Sequence, residues 1–127
     1  MVDGQIYLHI DLGTGSLRVL ATSDSVDDGE WHQISVTRNG RSGSIKVDDL
    51  ATDFNSRGDS TRLDLDGPLI IGGLGNLDHS GFPVPIWTAS LRRGFVGCVR
   101  GLVINGSPVD LAAIAQTQDI GKMANVK

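Results

Sequence analysis

Apolar and polar residues alternate along much of the chain with the period of two that is typical of β-strands. The stretch QIYLHIDL (residues 5–12) is the clearest case, and the GTGS turn after it predicts a hairpin into SLRVLA (residues 16–21). The pattern returns in WHQISVTR (residues 31–38) and SIKVDDL (residues 44–50). The turn signal NGRSG lies between those two stretches, so we predict a second pair of strands there.

The second half of the chain gives a weaker strand pattern. ATDFNSRGDSTR (residues 51–62) has no apolar rhythm and is predicted to be an exposed loop. LDLDGPLIIGG (residues 63–73) is predicted to return to a strand, because its continuous run Leu69–Ile71 is typical of a buried sandwich strand. FVGCVRGLVING (residues 95–106) predicts a late strand that ends in a hairpin turn.

Helical character is confined to VDLAAIAQ (residues 109–116), where Asp110 is the predicted N-cap. Short strands separated by glycine-rich turns, with almost no helix, predict an all-β fold, an antiparallel β-sandwich. The 17 glycines among 127 residues fit that architecture, and the length is that of one domain.

Charge and hydropathy argue against two classes of partner. The net charge of −4 comes without a basic stripe, so a nucleic-acid backbone is not an expected partner. Apolar runs are shorter than the roughly 20 residues that a membrane span needs, and Met1 opens no signal peptide.

Cys98 is the single cysteine, and its strand-like surroundings leave two interpretations open. It is either a free buried thiol that packs as a small hydrophobe or one half of a disulfide. A catalytic thiolate is not supported, since no histidine or cationic neighbour is placed to lower the pKa of the thiol. The histidines (His9, His32 and His79) also lack the spacing of a zinc site.

The sequence does not favour an enzyme. Lectin-like glycosidases need two carboxylates at a fixed separation across a cleft. Asp64 and Asp66 in LDLD are the one candidate pair on a single strand face.

Three stretches together resemble the laminin G-like domains, also called LNS domains, of laminin, neurexin and sex-hormone-binding globulin. They are DDGEWHQISVTRNGRSGSIKVD (27–48), LIIGGL (69–74) and GFVGCVRGLVING (94–106). The segment from Phe82 to Leu111 is especially similar to the neurexin LNS domains. The resemblance implies one jelly-roll sandwich over residues 1–127. It also implies that the family's first strands would precede residue 1, so that the domain is trimmed at both ends.

The resemblance also implies two kinds of site. In the family, the cysteine that matches Cys98 forms a disulfide with a cysteine beyond the last strand, which would follow residue 127. The family commonly binds calcium at the rim of the sandwich. Matched residue by residue, the ligands would be the backbone carbonyls of Leu12 and Arg62 and the carboxylate of Asp64. The family's other acidic ligand would precede residue 1, so we expect calcium binding to be weak or absent here.

The function that the resemblance implies is extracellular adhesion or recognition at a synapse. The domain would belong to a larger membrane-anchored protein of the cell surface. It would bind protein partners such as neuroligins, or the glycans of dystroglycan, through calcium-modulated rim loops. The alternatives are a lectin-like sandwich enzyme, such as a glycoside hydrolase, and a steroid carrier with a dry pocket between its sheets.

Two short motifs have both a functional and a structural interpretation. Arg57-Gly58-Asp59 is the tripeptide that integrin ligands display on an exposed loop, but an ordinary polar turn is the preferred interpretation. Asn105-Gly106-Ser107 is a glycosylation sequon, but Asn-Gly is also the preferred pair of a type I′ turn. Pro108 directly after the serine makes modification of Asn105 less favourable, so the turn is the preferred interpretation.

Overall fold

The computed structural model describes residues 1–65, 69–72 and 94–117. The chain divides into two compact units, Met1–Phe95 and Val96–Lys127. The strands of the first unit are β1 (Tyr7–Asp11), β2 (Ser16–Leu20), β3 (Ile34–Asn39), β4 (Ser42–Val47) and β5 (Leu50–Asn55). The second unit contains β6 (Val103–Ile104), β7 (Ser107–Pro108) and the helix α1 (Leu111–Thr117).

β1 and β2 form the predicted antiparallel hairpin, in a register that runs from Tyr7↔Leu20 to Asp11↔Ser16. The turn between them is held by the Asp11 carboxylate. Its Oδ1 accepts hydrogen bonds from the amides of Gly13 at 2.7 Å and Gly15 at 3.4 Å. A short acidic side chain at the end of a strand therefore closes the turn, as expected for an Asx-type connection.

β3, β4 and β5 form a three-stranded antiparallel sheet with β4 in the centre. Two-residue turns make both connections, Gly40-Arg41 after β3 and Asp48-Asp49 after β4. Gly40 has φ +62° and Asp48 has φ +51°, the left-handed conformations that tight hairpin turns require. The predicted pairing of β3 with β4 is confirmed.

The prediction of a loop over residues 51–62 is wrong in its first half, because β5 occupies Leu50–Asn55. Phe54 lies opposite Gly43 of β4 and is 7% exposed. Leu50, Thr52 and Phe54 alternate with polar or small residues. Only Leu50 and Phe54 are strongly apolar, so the strand pattern of this segment is weak in the sequence. Pairing with β4 decides the conformation here, since it satisfies the backbone of the segment and buries the Phe54 ring.

The core of the first unit lies between the β1–β2 hairpin and the three-stranded sheet. It consists of Ala21, Ile45 and Val47, each at most 3% exposed. Four partly buried apolar side chains pack against it: Ile6, Leu8, Val19 and Val26. Full burial of an aliphatic side chain such as Ile45 or Val47 stabilises the fold by about 1.5–3 kcal/mol. Ile6, Leu8 and Val19, which belong to the apolar face predicted for the hairpin, thus pack against the core of the sheet.

The predicted strand over residues 63–73 is not found where the structure describes that stretch. Residues 61–65 and 69–72 carry no strand, and Leu69 is 66% exposed. No described strand pairs with this segment. Residues 66–68 and 73, the remainder of the predicted strand, lie outside the described residues.

The second unit contains the predicted hairpin and helix, although the strand is shorter than predicted. β6 begins only at Val103, because Gly101 has φ +64° and interrupts an extended backbone. Asn105 and Gly106 connect β6 to β7 with φ values of +49° and +79°, as in a type I′ turn. Asp110 caps α1 as predicted, since its Oδ1 accepts the Ala113 amide at 3.0 Å.

We expect Gly43→Ala to destabilise the first unit, because β3 and β5 pack too closely against β4 at Gly43 to leave room for a side chain. A Cβ at this position would lie 2.4 Å from the Thr37 carbonyl oxygen and 2.5 Å from Cζ of Phe54. Overpacking of this kind costs about 1–3 kcal/mol, measurable as a change in the free energy of unfolding by denaturant titration. Ser35→Ala on the exposed face of β3 is the control and should change stability by less than about 0.5 kcal/mol. Equal stability of the two variants would contradict this packing.

Candidate functional site

The β1–β2 turn contacts the segment that follows β5, here called the 56–62 loop. The Thr14 hydroxyl donates a hydrogen bond to the Arg57 carbonyl oxygen at 3.4 Å. The same hydroxyl oxygen accepts the Ser60 amide at 3.3 Å. One side chain of the β1–β2 turn therefore joins two backbone positions of the 56–62 loop.

Two arginines, one in β3 and one in the β3–β4 turn, hold the same loop. The Arg41 carbonyl oxygen accepts a hydrogen bond from the Ser56 amide at 2.8 Å. The Arg41 guanidinium donates a hydrogen bond to the Gly58 carbonyl oxygen. The Arg38 guanidinium donates to the Thr61 carbonyl oxygen at 3.0 Å. Together with the Thr14 contacts, these bonds fix five backbone groups of the loop between Ser56 and Thr61.

Gly58 is the residue that permits this close packing. It has φ +74°, and a Cβ there would lie 2.2 Å from the Thr14 Oγ1 and 2.5 Å from the Thr14 carbonyl oxygen. Its two neighbours, Arg57 and Asp59, are exposed. None of the residues in the described ranges forms a hydrogen bond or ion pair with the guanidinium of Arg57 or the carboxylate of Asp59. Gly58 therefore lies between two exposed, opposite charges that have no partner among the described residues, on a loop whose backbone is held by hydrogen bonds.

The residues predicted as calcium ligands lie in or next to these two loops. Leu12 is buried at the start of the β1–β2 turn, just past the last ladder pair of the hairpin. The ladder ends at the pair Asp11↔Ser16, so the Leu12 carbonyl lies outside it. Arg62 and Asp64 are exposed at the end of the 56–62 loop and just beyond it.

These donors have the chemistry that calcium prefers, since two carbonyl oxygens and a carboxylate are hard oxygen ligands. Within residues 1–65, 69–72 and 94–117, no group of three or more His, Cys, Asp or Glu side chains could hold a metal ion. A site with a single carboxylate relies on backbone oxygens and is compatible with that finding. The calcium site stays a prediction.

The opposite end of the three-stranded sheet carries a second polar arrangement, the His32 cluster of Asp28, His32 and Asp48. His32 Nδ1 lies 2.8 Å from Asp48 Oδ2, and His32 Nε2 lies 2.9 Å from Asp28 Oδ1. The imidazole is 19% exposed. Asp48 also accepts the Gln33 amide at 2.8 Å through its other oxygen. The cluster thus ties the start of β3 to the β4–β5 turn.

The cluster shifts the pKa values of all three of its members. Hydrogen bonds to Asp48 first, and then to Asp28, raise the pKa of His32 above 6.5. The bond from His32 is the main reason that the pKa values of Asp28 and Asp48 fall below 3.8. A doubly protonated imidazole can donate to both carboxylates at once, so the charged form of His32 is the one that this geometry favours.

The remaining predicted residues belong to the second unit or lie outside the described residues. Cys98 is a free, exposed thiol, so the interpretation as a buried small hydrophobe is wrong. Its predicted disulfide to a cysteine beyond residue 127 stays a prediction. Asn105 is exposed in the β6–β7 turn, in agreement with the turn interpretation. Asp66, one half of the carboxylate pair of the enzyme alternative, is outside the described residues.

Comparison with known proteins assigns the chain to a family. The laminin G domain family matches residues 1–107. The chain therefore belongs to the laminin G domain family. Domains of this family are β-sandwiches, which agrees with the antiparallel strands described above and confirms the predicted fold class.

Within curated proteins, the chain is similar to neurexins from several animals. It is 48% identical over 120 residues to Neurexin 1 of Drosophila melanogaster, a match that covers 94% of this chain and 6% of the relative. Neurexin-2 of Homo sapiens is 44% identical over 120 residues, covering 93% of this chain and 7% of the relative. Neurexin-3a of Danio rerio is 41% identical over 120 residues, with 94% and 7% coverage.

The chain thus spans about 6–7% of the length of the relatives it matches. The predicted resemblance to laminin G-like domains, and to those of neurexins in particular, is confirmed. In the described ranges, no helix is long and apolar enough to cross a membrane.

Sequence reasoning missed the residues that organise both ends of the sheet. The sequence pattern does not identify Thr14, Arg38 or Arg41, although two arginines flanking an Asn-Gly turn are a visible signal. His32 lacks the spacing of a zinc ligand, and its partner Asp48 is distant in sequence. Only the β4–β5 turn brings that carboxylate to the start of β3.

We expect the stability contributed by the His32 cluster to depend on pH in a defined window. The pKa of His32 is raised in the folded state, so its contribution is complete below pH 6.5 and is lost as the pH rises through the folded pKa. The lowered aspartate pKa values add a contribution that is present above pH 3.8 and lost as the pH falls further. Thermal unfolding of the wild type and His32→Gln should therefore differ more at about pH 5.5 than at about pH 8.5.

His9→Gln is the matched control, because burial first, and then Arg18, lowers the pKa of His9. For that pair, the advantage of the wild type should grow as the pH rises. A difference between wild type and His32→Gln that does not change between these pH values would contradict the assigned role of the cluster.

Proposed function

We propose that this chain is an extracellular adhesion or recognition module that binds its partner through the rim formed by the β1–β2 turn and the 56–62 loop. The observation that carries the proposal is its membership of the laminin G domain family together with its similarity to neurexins. The proposal includes a non-enzymatic role, in which the domain acts by binding.

The construction of the rim supports recognition. A surface loop normally costs conformational entropy when a partner orders it. The backbone of the 56–62 loop is already bound to Thr14, Arg38 and Arg41, so less ordering is left for the partner to impose. Its exposed side chains are then free to make the specific contacts, as is common for loops on a rigid scaffold.

Calcium would act on this same rim. In the proposal, Leu12 and Arg62 supply backbone carbonyl oxygens and Asp64 supplies a carboxylate. A bound cation would connect the turn after β1 to the chain beyond the 56–62 loop and neutralise the Asp64 charge. Affinity for calcium follows the charge and number of the ligands, so one carboxylate implies a weak site, with a dissociation constant of about 1 mM or above.

The partners that fit the proposal are proteins or glycans of a neighbouring cell surface. Neuroligins and the glycans of dystroglycan are the two that the neurexin-like character suggests. The proposal places the chain at the cell surface, as part of a larger membrane-anchored protein at a synapse. The disulfide proposed for Cys98 would suit that oxidising environment.

Binding to these partners tests the proposed function directly. We expect the immobilised chain to retain a neuroligin ectodomain or dystroglycan glycans in surface plasmon resonance, more strongly in millimolar calcium than with a chelator, because the cation would order the rim. If the folded chain has no affinity for either probe, with or without calcium, the proposal is contradicted.

Calcium binding itself is tested by calorimetric titration of the wild type and Asp64→Asn. We expect weak binding by the wild type and a loss of about tenfold or more in affinity for the variant, because the single carboxylate is removed. Asp53→Asn, an exposed carboxylate on β5, is the control and should bind calcium like the wild type. Identical titrations of Asp64→Asn and Asp53→Asn would remove Asp64 from the site.

A further inference from the structure

The tripeptide Arg57-Gly58-Asp59 combines two properties that a docking site needs: a backbone held by hydrogen bonds and two accessible charged side chains. The carbonyl oxygens of Arg57 and Gly58 accept hydrogen bonds from Thr14 and Arg41, respectively. Directly after the tripeptide, the Ser60 amide donates to the Thr14 hydroxyl oxygen. The two charged side chains of the tripeptide are used by none of these bonds. Because the backbone is already held and both charged side chains are exposed, a partner can contact them with little further ordering of the loop.

The charges of the tripeptide have no counterpart within the described part of the chain. Neither the Arg57 guanidinium nor the Asp59 carboxylate is paired there. A Cβ built on Gly15 would lie 3.2 Å from the Arg57 Cβ, so the aliphatic part of this arginine packs beside the β1–β2 turn. Gly58, with φ +74°, separates the two charged residues at a point where any larger residue would collide with Thr14.

A partner that binds both Arg57 and Asp59 must offer two different groups, one for the guanidinium and one for the carboxylate. A guanidinium is best recognised by a carboxylate, which can accept two parallel N–H bonds. An isolated carboxylate is best recognised by a divalent cation with an open coordination position. A receptor groove with an acidic pocket at one side and a bound cation at the other meets both requirements, and this is the recognition chemistry of integrins.

We propose that Arg57-Gly58-Asp59 is a docking site for an integrin-type receptor, which would take Arg57 in an acidic pocket and bind Asp59 through its own divalent cation. This inference deepens the proposed adhesion function by naming one class of partner for the 56–62 loop. It does not depend on the predicted calcium ligands Leu12, Arg62 and Asp64.

The experiment measures binding of the immobilised chain to a purified, RGD-recognising integrin ectodomain in manganese-containing buffer. We expect saturable binding that a free Gly-Arg-Gly-Asp-Ser peptide displaces. Asp59→Glu keeps the charge but moves the carboxylate by one methylene. It should weaken binding about tenfold or more, since metal coordination is sensitive to carboxylate position.

Two further variants make the result specific. Asp53→Glu adds the same methylene to an exposed carboxylate on β5 and should leave integrin binding unchanged. Thr14→Ala removes the hydroxyl that holds Arg57 and Ser60, and it should weaken binding by about two- to fivefold through lost preorganisation of the loop. Unchanged thermal unfolding of Asp59→Glu shows that its effect is on docking.

The outcomes separate this inference from the proposed function. No binding by the wild type, or equal binding by Asp59→Glu and Asp53→Glu, overturns the integrin inference. If the neuroligin or glycan probe is still retained in that case, the adhesion function stands without it. Integrin binding that a free peptide displaces, with no binding of the other probes, supports the inference and counts against the neurexin-like partners.

Discussion

The burial of Ile45 and Val47 is the constraint on which the first unit depends. Both belong to β4, which is hydrogen-bonded to β3 on one edge and to β5 on the other, and their side chains lie under the β1–β2 hairpin. A one-residue shift of β4 would move both side chains to the opposite face and expose them. Because β4 is the shared partner, its register also fixes the turns at both ends of the sheet.

The two ends of that sheet are secured by different chemistry. At the start of β3, the His32 cluster joins the segment before the strand to the β4–β5 turn through a charge-sensitive hydrogen-bond pair. At the other end, Arg38, Arg41 and Thr14 hold the 56–62 loop through its backbone carbonyls and amides.

This division is the physical basis of the recognition role proposed for the 56–62 loop. Hydrogen bonds that use the backbone of a loop leave its side chains for a partner, whereas the His32 cluster uses its side chains internally. The chain that carries this loop belongs to the laminin G domain family of β-sandwiches and is similar to neurexins. The family gives the architecture, and the particular residues of the loop give this chain its chemistry.

The alternation of apolar residues by itself determined the β1–β2 hairpin, the pairing of β3 with β4 and the all-β class, because period-two burial is a local property of sequence. Turn and cap chemistry likewise located the Asn105-Gly106 turn and the Asp110 cap. Tertiary structure alone decided that residues 50–55 form a strand, since Phe54 is buried only by pairing with β4. It also decided the contacts of Thr14 with the 56–62 loop and of His32 with Asp48, because these side chains are distant in sequence and meet only once the strands have paired.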